Sequence, residues 1–265
     1  MCGRYTLTDD GLDLWKLIED TIPKPLSRNL TAEQISLTLN DKSRRKFNIV
    51  PTSVEPILYL HGDEVVFSQA HWWLLPSWGS SQVKWRISAK GEKSFSWVGP
   101  PKSHFNSRWD TLTNSSNRYL HGLLASKRCL IPADGFMEWP DDALRPKDQE
   151  KIPSYFSLHE HRPFFFAGVY DEAIDDEGKQ FLSYNIITVQ PNEMLKKLPH
   201  HRMPAILADG SVSRWISSDV NADKAAELLR PTLDDLMVSY PISNLVNSPK
   251  NESTEVIMPL SNHNG

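Results

Sequence analysis

Short, mostly apolar runs separated by polar and turn-forming positions fill the middle of the chain: residues 55–60 (EPILYL), 64–69 (EVVFSQ), 128–132 (RCLIP), 154–158 (SYFSL), 164–169 (FFFAGV) and 181–189 (FLSYNIITV). Runs of this length, rich in β-branched and aromatic residues and bounded by turn formers, predict strands. Helical spacing appears over 9–18, over 112–125, and over 222–229, where Asn221 is placed to cap the first turn. Strands dominate, and no strand–helix–strand alternation recurs. The pattern therefore predicts an α+β fold rather than a doubly wound parallel sheet.

Two stretches break the pattern. Between Trp78 and Phe105 the chain is rich in Ser, Lys and Gly and carries Gly99-Pro100-Pro101, so 79–104 is expected as an irregular excursion. The charged segment 141–151, with Pro146, is expected as a surface turn between strands. Without repeats or a shift in composition, one domain is predicted over 1–247, followed by a C-terminal tail at 248–265.

Composition narrows the function classes. The 265 residues are 39% hydrophobic and include nine Trp and ten Phe, enough for a substantial core. A net charge of -4 gives no whole-molecule signature of a nucleic-acid binder. Basic residues nevertheless gather in the first half, at Lys42, Arg44, Arg45 and Lys46, then Lys84, Arg86, Lys90, Lys93, Lys102 and Arg108. That half is the candidate phosphate-facing surface, because binding follows the local field rather than the sum. The only cysteines are Cys2 and Cys129, which excludes a disulfide framework and a cysteine zinc cluster and points to a reducing compartment. No secretory leader and no apolar run of spanning length is present, so a soluble intracellular protein without membrane association is expected. The Lys42-Ser43-Arg44-Arg45-Lys46 run is a candidate nuclear address in a eukaryote, with the cytoplasm expected otherwise.

Four places carry candidate chemistry. A small residue after Met1 favours removal of Met1, which would leave Cys2 with a free α-amine beside its thiol. With pKa values of about 8 and about 8.5, both groups keep a reactive fraction near neutrality. Such a 1,2-aminothiol condenses with an aldehyde to a five-membered thiazolidine. Asn106 and Arg108 stand two residues apart, the same-face spacing of a strand, although a capping Asn beside a surface Arg has the same spacing. Glu138 follows a strand and an expected turn at Asp134-Gly135, and its neighbours Met137 and Trp139 would desolvate it and raise its pKa into the acid–base range. A Glu on the polar face of a hairpin is the alternative. His200, His201 and Arg202 share one loop; adjacent His side chains diverge, so one at most enters a site, and no metal site is expected without a second cluster.

The ordered motifs Met1-Cys2-Gly3-Arg4-Tyr5, Asn48-Ile49-Val50-Pro51-Thr52, Trp73-Leu74-Leu75-Pro76-Ser77-Trp78, Asn106-Ser107-Arg108, Ala133-Asp134-Gly135-Phe136-Met137-Glu138-Trp139 and His200-His201-Arg202-Met203-Pro204 resemble the SOS-response-associated peptidase (SRAP) family of abasic-site-shielding proteins. The resemblance implies a single compact domain with a barrel-like, mainly antiparallel β core flanked by helices. It also implies a covalent crosslink to abasic sites in single-stranded DNA, in the response to DNA damage. By the same resemblance Cys2 is the nucleophile, Asn106 orients its terminus, Glu138 is the acid–base group and His200 its partner near the sugar. Arg4, Arg108 and Arg202 would grip phosphates, with Pro51 and Trp78 against bases. No cofactor is implied; the partners would be single-stranded DNA and replication-fork proteins, acting on a monomer. Lyase and thiol autopeptidase activities accompany this reading. Two alternatives stay open: an N-terminal-nucleophile cysteine peptidase, and a non-catalytic reader of modified DNA bases. The chain departs from the family's pattern at Trp109, Asp110, His201 and Asn244.

Overall fold

The computed structural model describes residues 2–9, 11–27, 29–39, 46–78, 83–87, 93–97, 105–144, 147–148, 151–174 and 178–260. The two runs 55–60 and 64–69 become a hairpin of β3 (Val54–His61) and β4 (Glu64–Trp72) that turns through Gly62, whose φ of 59° suits a residue without a Cβ. Beside β3 lies β8 (Arg128–Ala133), beside β8 lies β11 (Phe164–Ile174), and beside β11 lies β12 (Gln180–Val189). A parallel pairing of Leu182, Ser183 and Tyr184 with Ala70, His71 and Trp72 returns β12 to β4 and closes these strands into a barrel. Closure leaves the ring no free edge. Two short strands extend β12 past the barrel: β7 (Asn106–Arg108), parallel to it, and β13 (Met203–Pro204), antiparallel.

A second, antiparallel sheet runs in the order β14 (Met237–Pro241), β10 (Ser154–Leu158), β9 (Gly135–Glu138), β1 (Arg4–Leu7) and β2 (Lys46–Ile49). Aromatic side chains fill the space it shares with the barrel. Tyr5 meets Trp72 edge-on at 5.0 Å, and Phe136 stacks on Phe156 at 5.1 Å, all fully or almost fully buried. Burying each such ring contributes about 2–3 kcal/mol.

The helices surround this core. In α1 (Leu12–Thr21), Leu14, Leu17 and Ile18 recur at helical spacing and are buried, and the Asp9 carboxylate receives the Gly11 and Leu14 N–H groups. Next come α2 (Lys24–Ser27) and α3 (Ala32–Leu39). The helix expected over 112–125 begins only at Arg118, as α5 (Arg118–Ser126), because Asn117 caps that start by accepting from Leu120 N; the separate α4 (Trp109–Leu112) precedes it. After α6 (Glu193–Lys197) come α7 (Asp209–Ile216) and α8 (Ala222–Ala226), which Asn221 caps as expected but which ends three residues before 229. The sequence of α7, with its Gly and two Ser, has weak helix propensity; burial of Val212, Trp215 and Ile216 holds it helical.

Three expectations change. Within 79–104, β5 (Val83–Ile87) and β6 (Lys93–Trp97) pair as an antiparallel ribbon, reflecting the alternations V-K-W-R-I and K-S-F-S-W that the polar composition obscures. The rest of that excursion, and residues 42–45 of the basic run, lie outside the described residues. The segment from 248 does not stand apart as far as residue 260: Asn48 donates to the Ser248 and Asn251 carbonyls, Val256 is buried, and Leu260 N donates to Pro241 O. Residues 134–135 are not a hairpin turn. There the chain crosses from the barrel into the second sheet, between β8 and β9.

Asp134 secures that crossing. It is 2% exposed and accepts from the hydroxyls of Thr6 and Thr8 and from the Thr8 and Asp9 N–H groups. Gly135 must follow it, because a Cβ there would overlap the Tyr155 ring. Removing the carboxylate leaves four donors without their acceptor, so Asp134→Ala should destabilise the protein by about 3 kcal/mol. The urea midpoint would measure this; an unchanged midpoint refutes the assignment.

The barrel buries two acids, Glu55 and Asp171, and Asp171 is paired with Lys127. Glu55 on β3 is 4% exposed, and burial lifts its pKa to about 7 against the opposing charge of Lys46. The native state therefore holds this proton up to about pH 7, whereas an unfolded chain releases it near pH 4.5. Stability is thus lost as pH rises through this window. Glu55→Gln should match the wild type at pH 4 and exceed it by about 2–3 kcal/mol at pH 8. Denaturant midpoints across pH that stay parallel for the two proteins would exclude this.

Candidate active site

The two sheets bring together residues far apart in sequence. On the second sheet, β1 pairs antiparallel with β9, Arg4 opposite Met137 and Thr6 opposite Gly135, so Glu138 at the end of β9 comes beside the residues that precede β1. From the barrel side, β7 enters with its first residue, Asn106, opposite Ile186. Its entry is held by the Phe105 carbonyl, which accepts from Trp72 Nε1 at 2.9 Å and from Ile186 N at 3.1 Å. Asn185 Nδ2 donates to Ser107 Oγ at 2.6 Å one residue further on. So fixed, Asn106 donates from Nδ2 to the Cys2 carbonyl at 2.7 Å.

Glu138 and His200 complete the cluster. His200 Nε2 lies 3.3 Å from Glu138 Oε2, and His200 Nδ1 lies 3.1 Å from the Trp139 carbonyl. Since a carbonyl only accepts, Nδ1 carries the hydrogen and Nε2 of the neutral ring is the acceptor facing Glu138. Burial, with the positive chain terminus adding to it, lowers the His200 pKa to about 4. Burial raises that of Glu138 to about 7, the chain terminus opposing. Near neutrality His200 is therefore neutral, and the Glu138 carboxyl carries its proton about half the time. Cys2 is fully buried in the chain that retains Met1, and its thiol contacts the Arg4 carbonyl at 3.6 Å. Burial first, and the Glu138 charge second, push the thiol pKa well up. The thiol therefore needs a base to become a nucleophile.

The pair opens on a cleft of about 750 Å³ lined by Glu138, Trp139, Asp141, Lys151, His200 and Asn247. Asp141 links its walls: its N–H donates to the Pro199 carbonyl at 2.8 Å, and its carboxylate meets His201 Nδ1 at 2.6 Å. The adjacent histidines do not diverge as expected: their rings lie 5.4 Å apart at 30°, His200 facing Glu138 and His201 facing Asp141 of the same cleft. Trp139 Nε1 donates to Asn247 Oδ1 at 2.9 Å, tying the cleft to the segment after β14. Sequence reading missed Asp141, Lys151 and Asn247. The Pro140-Asp141-Asp142 step after an aromatic-flanked Glu was the one signal available.

The expected phosphate and base contacts are dispersed. Arg4 donates to the Val246 and Asn247 carbonyls at 3.4 and 3.3 Å. Arg108 and Arg202 come together on one acceptor, Asp110 Oδ2, at 2.6 and 3.2 Å, where β7 and β13 lie on the two sides of Thr188. Pro51 is half-buried in the turn after β2. Trp78 is 62% exposed and packs edge-on against Tyr119 at 4.6 Å, next to Ser77, whose N–H donates to Asp171. Asp171 is opposite Ser183, which places Trp78 toward the far end of β12 from Thr188.

Comparison with known proteins agrees with this architecture. The family model described as SOS response associated peptidase (SRAP) matches residues 1–249. The chain is 32% identical over 260 residues to the abasic site processing protein YoqW of Bacillus subtilis (strain 168), covering 97% of this chain and 99% of the relative. It is 32% identical over 267 residues to the abasic site processing protein YoaM of the same organism, covering 99% and 100%. A crystal structure of a protein from Bacteroides thetaiotaomicron superposes with a TM-score of 0.68 at 22% identity, covering 97% of this chain and 99% of that one, which shows a shared fold.

Proposed function

Since this chain belongs to the SOS response associated peptidase family, we propose that it processes abasic sites in single-stranded DNA by bonding Cys2, freed of Met1, to the open-chain aldehyde of the lesion. The names of the Bacillus relatives support the abasic-site role. The observation that carries the covalent step is the 2.7 Å hydrogen bond from Asn106 to the Cys2 carbonyl beside the Glu138–His200 pair. It holds the carbonyl end of Cys2 in register, so that the α-amine and the thiol converge on one carbon.

The chemistry follows from the proton positions. Opening the sugar moves the proton of its anomeric hydroxyl to the ring oxygen, and a pair with one donor and one acceptor can do both. The neutral α-amine then attacks the aldehyde carbon. The carbinolamine loses water as the Glu138 carboxyl protonates the departing hydroxyl, leaving a protonated imine. Glu138, now a carboxylate, takes the Cys2 thiol proton; sulfur bonds to the imine carbon, and the C=N electron pair returns to nitrogen, which keeps its one hydrogen. The sum is aldehyde plus aminothiol giving thiazolidine and water. The trapped sugar can no longer undergo β-elimination, so the strand stays intact. Self-cleavage as a peptidase is less well served: the Asn106 donor addresses the carbonyl of Cys2, whereas the bond before Cys2 carries the carbonyl of Met1.

The test incubates the untagged protein with an oligonucleotide carrying one abasic site, beside a form whose N-terminus is blocked by a retained tag. A band that survives denaturation, needs the lesion and vanishes on blocking is expected. Equal adduct from the blocked form, or none from a chain shown by mass spectrometry to lack Met1, would overturn the proposal.

A further inference from the structure

Asp110, the second residue of α4, engages both Arg108 and Arg202. Arg108 grips it bidentately, Nε to Oδ1 at 3.0 Å and Nη2 to Oδ2 at 2.6 Å. Arg202 Nη2 reaches the same Oδ2 at 3.2 Å. A planar fork against two oxygens is also how guanidinium binds phosphate. The side chains of Arg108 and Asp110 are 57% and 39% exposed, so solvent and ligands reach this pair; that of Arg202 is 6% exposed. Buried Arg202 Nη1 has no hydrogen-bond partner among the described residues. A buried guanidinium nitrogen left with an unused donor is costly, and an anion arriving between the two arginines would satisfy it.

We infer that Asp110 is an internal stand-in for a DNA phosphate, occupying Arg108 and Arg202 in the free protein and setting how tightly a single strand is held. This rests on the DNA reading of the site. Bonds from Arg108 and then Arg202 lower the Asp110 pKa to about 2, so the carboxylate remains charged at any working pH and competes with phosphate throughout. A strand must displace one or both forks, or slide past them, before its phosphates gain the full attraction of the cations. Asp110 therefore weakens retention of undamaged DNA, while a covalent bond at a lesion would be indifferent to it once formed.

The experiment reads equilibrium binding of a lesion-free fluorescent oligothymidylate, by anisotropy, across a salt series. Asp110→Asn keeps an acceptor oxygen for Arg202 but removes the charge. It should bind about fivefold to tenfold more tightly at low salt, and log K against log salt should steepen by about 0.7 for each phosphate newly engaged. Asp110→Ser should behave alike, and Asp110→Glu should stay near the wild type. Asp219→Asn, which removes the same charge from an exposed position, should change little. Unchanged or weaker binding by both neutral variants, or an equal gain in Asp219→Asn, overturns the inference. The abasic-site reading is judged separately by the wild-type crosslink: adduct with no gain for Asp110→Asn sinks the inference alone, and a gain without adduct sinks the function alone.

Discussion

Cys2→Ala should yield no adduct that survives denaturation, and should instead cut abasic DNA. Alanine is small enough for Met1 still to be removed, so an α-amine remains in the Asn106-held position and still forms the imine. Without the thiol nothing traps it. The protonated imine acidifies the neighbouring carbon, and β-elimination expels the 3′ phosphate. The expected gel shows loss of the shifted band, a new shortened strand, and a protein–DNA band restored by borohydride, which reduces the imine to a stable amine. A denaturation-resistant adduct at wild-type yield without borohydride would place the bond on some other residue.

Glu138→Gln is the second large effect. Glutamine preserves the shape beside His200 but neither donates nor accepts a proton at this pH, so thiol activation and dehydration lose their shuttle. Removing a positioned acid–base group costs about 10²–10⁴-fold, and the crosslinking rate should fall in that range. The pH profile is the more specific readout. Wild-type single-turnover rates should bend near pH 7, where the Glu138 carboxyl titrates: the acid form is lost above that pH and the base form below it. In the variant this bend should vanish, leaving that of the α-amine near pH 8. A slowed variant that keeps the bend would reduce Glu138 to a structural role.

The barrel strands were legible because they are buried over consecutive residues and so read as short apolar and β-branched runs bounded by polar residues, as in 55–60 and 181–189. The short strands β7, β9 and β13 were less so. Two to four residues carry too little periodicity, and for β7 and β9 pairing also depends on distant strands, as Asn106 on Ile186 and Met137 on Arg4 show. The helix α7 escaped for the converse reason, its weak local propensity being overridden by burial of Trp215.

The sequence by itself determined which groups are available: an aminothiol in waiting at Cys2, an amide at Asn106, a carboxylate wedged between Met137 and Trp139, and an imidazole at His200. Side-chain chemistry is local, and so is the composition around it. Only the tertiary structure decided that these four meet, that Glu138 and His200 have displaced pKa values in opposite senses, and that Asp110 sits between Arg108 and Arg202. Distance and desolvation depend on which strands pair, and pairing is a property of the whole chain.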